Sequence, residues 1–115
     1  MVINMIPVEH NLSAIKGEFI TLTIGYNVEV DPEDLFSCVR KFTYDERYRA
    51  KFNITVSKDN LATGERCRII LSLDTKELLD GRYVWDLFVW ADGRPVKCLV
   101  KGQLTILEGV SNRGK

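Results

Sequence analysis

Apolar and polar residues alternate with a period of two along most of the chain, which is the signature of half-buried strands. Glu18 to Tyr26 reads EFITLTIGY, rich in β-branched and aromatic residues. Lys51 to Ser57 sets Phe52, Ile54 and Val56 on one side and Asn53, Thr55 and Ser57 on the other. Arg66 to Leu73 places Cys67, Ile69, Leu71 and Leu73 in one row. Arg82 to Trp90 and Val96 to Leu107 form the most apolar pair, a weaker strand covers Phe36 to Phe42, and another is expected in Val2 to Val8. About seven short strands separated by turn signals predict an all-β sandwich.

The connections follow from turn chemistry. Ala91-Asp92-Gly93-Arg94-Pro95 joins the two longest strands. Asp-Gly supplies the positive φ of a tight hairpin, and Pro95 can only begin a strand or lie at its edge. Gly102 interrupts the last strand where its inward phase changes, so a bulge or bend is expected there. One short helical turn is expected over Thr75 to Asp80, with Asp74 as cap, Glu77 in the capping-box position and Gly81 as stop. Thr43 to Ala50 (TYDERYRA) reads either as a helical turn, with Tyr44 and Tyr48 four apart, or as a solvated loop.

The last-but-one strand decides the faces. Tyr83, Trp85, Leu87 and Val89 share one phase, and Val84, Asp86, Phe88 and Trp90 the other. A charge is disfavoured in a core, so the first set faces inward. That turns Val84, Phe88 and Trp90 outward, a row that calls either for a protein partner or for a covering loop such as Thr43 to Ala50. Val84, Phe88, Trp90, Tyr44 and Tyr48 are therefore the candidate interface residues.

Composition narrows the function. Sixteen basic and sixteen acidic residues cancel, which argues against a nucleic-acid partner. No apolar run approaches the roughly 20 residues of a membrane span, and no basic stretch with an apolar core opens the chain. The expectation is a chain made in a cytoplasm and kept there or assembled from there. Cys38, Cys67 and Cys98 lie far apart with no CxxC and no neighbouring His, so they read as small core hydrophobes and not as a metal or redox site. His10 is the only histidine and stands in a polar segment, which leaves it a solvent-exposed residue. Asp31, Glu33 and Asp34 around Pro32 read as a capped turn and not as a calcium loop. Asp86 reads as outward-facing in preference to a buried acid. No catalytic, cofactor-binding or metal-ligating set emerges, and the chain is expected not to be an enzyme.

The run LDTKELLDGRYVWDLFVWADGRPVKCLVKGQLTILEGVSN resembles small structural proteins of tailed bacteriophages. In that pattern a turn ending in L-x-x-G leads into a "GRYVYD" strand, a D-G hairpin, and a strand carrying L-x-x-G-x-(I/L/V)-T-(I/V). Leu78, Gly81, Arg82, Tyr83, Val84, Trp85 (commonly Tyr), Asp86, Gly93, Leu99, Gly102, Leu104, Thr105 and Ile106 occupy the matching positions. Lys16-Gly17 before an "F-x-L-T-I"-like strand extends the likeness in outline to the N-terminal half, whereas TYDERYRAKF departs from it.

The resemblance implies an immunoglobulin-like antiparallel β-sandwich; the length fits a single domain over residues 1–115, in which 1–12 and 108–115 are expected to serve as docking arms that order on assembly. It further implies a non-enzymatic virion subunit, serving in capsid decoration or in neck, tail or baseplate attachment. Its partners would be other virion proteins or further copies of itself, with no cofactor, and assembly would take place in the host cytoplasm. Two other classes remain open: a carbohydrate- or ligand-binding sandwich using Tyr44, Tyr48, Trp85 and Trp90, and a small hydrolase or redox protein.

Overall fold

The alternating segments become strands of two sheets whose inward rows meet. A computed structural model describes residues 8–109. It contains nine strands: β1 Val8–Glu9, β2 Leu12–Ile15, β3 Phe19–Tyr26, β4 Leu35–Arg40, β5 Ala50–Lys51, β6 Asn53–Ser57, β7 Cys67–Asp74, β8 Gly81–Ala91 and β9 Arg94–Leu107. The smaller sheet has the order β3-β7-β6. The larger has the order β1-β9-β8-β4-β5, with β2 also on β9. β1 and β2 run parallel to β9, and every other pairing is antiparallel. This is the immunoglobulin-like arrangement. The expected strands are present with two exceptions. The one sought at Val2 to Val8 falls outside the described residues apart from Val8, and Lys51 to Ser57 divides at Phe52, Lys51 ending β5 of the larger sheet and Asn53 opening β6 of the smaller. β2 lies beside β9, a pairing that its four-residue sequence does not announce.

Between the sheets, Cys67, Ile69, Leu71 and Leu73 of β7 meet Tyr83, Trp85 and Leu87 of β8, with Leu104 and Ile106 of β9. Phe52 packs its ring against Trp85 at 5.5 Å. Each such fully buried side chain stabilises the fold by roughly 1.5–3 kcal/mol. Tyr83 donates its hydroxyl proton to the Leu79 carbonyl at 2.7 Å. That is the tyrosine corner of immunoglobulin-like folds, which locks the turn entering β8 onto the strand.

The Asp92-Gly93 hairpin has φ values of 53° and 77°, the doubly positive pair of a two-residue primed turn. Two other expectations need correcting. The bulges in β9 are not at Gly102. Leu87 pairs with Val100 and Phe88 with Cys98, so Leu99 is the extra residue, and Val96 is a second one near the hairpin. The Leu99 bulge is how consecutive residues, Leu99 and Val100, are both buried. Gly102 stays in register opposite Trp85, and its missing side chain serves a different end. A Cβ there would collide with the carbonyl of His10, which crosses at that point and accepts the Trp85 indole proton at 3.0 Å.

The helical turn is also elsewhere. Residues 75–80 form a tight turn in which Leu78 N–H reaches the Thr75 carbonyl and Lys76 N–H the Asp74 carboxylate, both at 3.0 Å. Thr75 is held by its hydroxyl, which donates to the Glu18 carbonyl at 2.7 Å and accepts from Gly17 N–H at 2.9 Å. Those bonds tie the turn to the β2–β3 connection and leave no length for a helix. The one helical piece among the described residues is a 3₁₀ turn at Pro32–Asp34, where Asp31 closes the turn with its backbone carbonyl and not with its side chain.

Tyr83→Phe, measured by urea unfolding with an unchanged m-value, is expected to cost about 1 kcal/mol, the worth of one neutral hydrogen bond. Gly102→Ala is expected to cost more, about 2 kcal/mol, because the backbone of residues 10–11 must move.

Candidate interaction face

On the larger sheet the outward residues form a grid, because residues directly opposite in antiparallel strands share a face. One row runs Phe36–Phe88–Cys98, the next Lys51–Cys38–Asp86–Lys101, and the third Arg40–Val84–Gln103. Phe36 is the centre of an aromatic cluster. Tyr48 lies edge-on to it at 5.8 Å and Trp90 at 6.3 Å, and the Lys51 ammonium stands 5.4 Å from its ring centre. Edge-to-face contacts of this kind add about 0.5–1.5 kcal/mol each beyond area burial.

The structure therefore brings Phe88, Trp90 and Tyr48 around Phe36, with Val84 four residues from Phe88 along β8 in an adjoining groove of about 540 Å³. Tyr44 stands apart: it stacks on Phe42 at 5.2 Å and is 77% exposed. The 41–49 connection is a loop and not a helix; Thr43 borders the Val84 groove, Glu46 the hairpin end, and Tyr48 reaches the aromatic cluster. Tyr48 at 49% and Trp90 at 36% exposure leave the cluster open to solvent. Phe36 was not among the sequence candidates. The signal lay in the alternation of β4, where Arg40 marks the outward phase that Phe36 and Cys38 share.

The smaller sheet shows the contrast. Its outward rows read Thr21–Ser72–Asn53, Thr23–Ile70–Thr55 and Gly25–Arg68–Ser57. Hydroxyl, amide and guanidinium groups dominate these rows, in which Ile70 is the large apolar residue; a fourth outward row at the end of β3 pairs Asp74 with Phe19, which is 63% exposed. The aromatic cluster on the larger sheet thus has no counterpart among the hydroxyl-rich outward rows of the smaller one.

Asp86 is both outward-facing and half-buried. Burial raises its pKa, with the Arg40 guanidinium opposing. Cys38 is sealed beside it although it lies on the outer face; Arg40 Nη1 donates to its Sγ at 2.7 Å. Burial pushes the Cys38 thiol up to about 11, against the pull of Arg40 and with the Asp86 charge adding. Cys98 is raised for the same leading reason, with Asp86 adding and Lys101 opposing. Only Cys67 belongs to the inter-sheet core as the thiols were expected to do, because the Leu99 bulge turns Cys98 to the half-exposed outer row. Both outer thiols are held as weakly nucleophilic SH groups at neutral pH. His10 is exposed and contributes its backbone. Among the described residues, no three metal-ligating side chains converge.

Compared with models of known protein families and with curated proteins, the chain matches none.

Folding favours the protonated form of Asp86, since its folded-state pKa lies above the ordinary 3.8. Its contribution to stability is thus complete below that value and is lost as the pH rises through the folded-state pKa. Asp86→Asn is expected to raise the melting midpoint at pH 7 and to match the parent at pH 3. An equal offset at both pH values would show that the carboxylate's charge is not what costs stability.

Proposed function

We propose that this chain is a non-enzymatic structural subunit of a tailed-bacteriophage particle, attached to its neighbours through the outer face of the larger sheet. The observation that carries the contact reading is the asymmetry of the two outer faces: Phe36, Tyr48, Phe88 and Trp90 gathered on one, and on the other mainly hydroxyl-bearing residues, with Ile70 and the terminal Phe19 apart from any aromatic cluster. A half-open aromatic cluster flanked by Lys51, Asp86 and Lys101 has the make-up of an interface centre with a polar surround. The phage context is supported by the residue pattern from Leu78 to Ile106. The partner is another virion protein or a further copy of the chain.

The two phases of β8 separate folding from attachment. Leu87→Ser places a hydroxyl in the core and opens a cavity; it is expected to cost about 3–5 kcal/mol and to unfold much of the protein. Phe88→Ser and Trp90→Ala are expected to keep a cooperative melt while removing the chain from purified particles, measured by quantitative peptide mass spectrometry. Absence of the parent chain from particles, with the protein abundant in the lysate, would overturn the virion reading. Specific glycan binding lost in Trp90→Ala would replace it with a carbohydrate-binding module.

A further inference from the structure

At the hairpin end of the same face lies a groove of about 670 Å³ with an aromatic floor and an acidic rim. Its floor is Phe36, Tyr48 and Trp90, and its rim carries Glu33 and Asp34 from the 3₁₀ turn, Glu46 from the 41–49 loop and Asp92 from the hairpin. The next depression around Trp90 adds Glu29 and Asp31 and has no lysine or arginine in its lining. Two bases also line the main groove, Arg40 against the Cys38 sulfur and Lys51 over the Phe36 ring, so its carboxylates outnumber its cations four to two.

The ion pairs among the described residues are Lys58–Glu29, Arg68–Glu65 and Lys76–Asp74. None involves Glu33, Asp34, Glu46 or Asp92. The chain is neutral overall, so this concentration of unpaired carboxylates is a local feature of one end of the sandwich.

We infer that this groove docks a basic segment of a partner protein, one that alternates Arg or Lys with an apolar side chain. The apolar side chain lies against Tyr48 and Trp90. A guanidinium meets the exposed Trp90 ring face and the carboxylates of Glu33 and Asp92. Lys51 over Phe36 already shows, within the chain, a cation held on an aromatic face of this cluster. An acidic segment would meet four carboxylates against two cations, a net negative rim that disfavours it. The inference deepens the contact role proposed above and rests on it, giving the occupant of that face its chemistry.

The test titrates the folded chain with two synthetic peptides, acetyl-Arg-Leu-Arg-Leu-Arg-amide and its Glu-for-Arg counterpart, by calorimetry and by tryptophan fluorescence. Trp85 is buried, so a fluorescence change reports Trp90. The arginine peptide is expected to bind and the glutamate peptide not to. The double variant Glu33→Gln/Asp92→Asn is expected to weaken binding by about tenfold, equivalent to about 1.4 kcal/mol. Half-molar salt should weaken it similarly, since exposed charge pairs are screened, and Trp90→Ala should abolish it. Asp92→Asn suits the turn, because Asn adopts the left-handed φ of 53° found there.

Equal binding of both peptides, no binding at millimolar peptide, or an unchanged affinity in the double variant overturns the inference. Particle association distinguishes the two levels. If the peptides fail while the chain is still found on particles, only the basic-segment inference falls. If the arginine peptide binds but the chain is missing from particles, the virion role falls and the groove stands.

Discussion

Asp86 lies between Trp85 and Leu87 on the central strand of the larger sheet, and its charge determines how that strand is turned. Buried unpaired between the sheets, the carboxylate would cost several kcal/mol. Turned outward, it lets Tyr83, Trp85 and Leu87 fill the core against β7. β8 is paired along most of its length with both β4 and β9, so its phase propagates through the register to both neighbours. Ser37 and Val39 must then point in, and Phe36, Cys38 and Arg40 out. The aromatic outer face is the counterpart of the apolar inner one, created by the same alternation.

A second constraint closes the sheet. β9 would be a long unpaired edge, the kind that invites pairing with other chains. β1 and β2 cover it from Val100 to Leu107, and the crossing between them is possible because Gly102 presents no side chain to the His10 carbonyl. Trp85 Nε1 binds that carbonyl, and Asn11 Oδ1 accepts from Gln103 N–H at 2.9 Å. One core tryptophan thus joins the N-terminal strands to the centre of the sandwich. Its indole N–H is satisfied in a place where an unpaired donor would destabilise the fold.

The outer face combines rigidity with incomplete cover. Phe36 is held by Tyr48, Trp90 and Lys51, so in the proposed contact role the cluster would be ordered in advance and lose little entropy on binding. Burial raises the pKa of both outer thiols, and Arg40 seals Cys38, while Cys98 stays half-exposed in the outer row. Charge is uneven along the face, with Lys51, Asp86 and Lys101 in alternation across its middle and carboxylates gathered at the hairpin end.

Much of this was legible in local sequence. The long strands, the Asp92-Gly93 hairpin, the inward row of β7 and the two faces of β8 all follow from side-chain period and turn chemistry, which act over a few residues. Val84, Phe88 and Trp90 were legible as outward for the same reason. Other features depend on partners distant in the chain. The bulge at Leu99 comes from register against β8, where two consecutive apolar residues must both be buried. Gly102 is required by a backbone that approaches from residue 10, and β2 is a strand only because β9 lies beside it. Thr75 stays in a tight turn because its hydroxyl is bonded to the backbone around residues 17 and 18. Tyr48 joins the cluster and Tyr44 does not, because a loop takes its path from the ring it can pack on. Periodicity determined which residues are strands and which way they face; tertiary packing alone decided where register shifts, where chains cross and which aromatic rings meet, since those energies arise only between segments far apart in sequence.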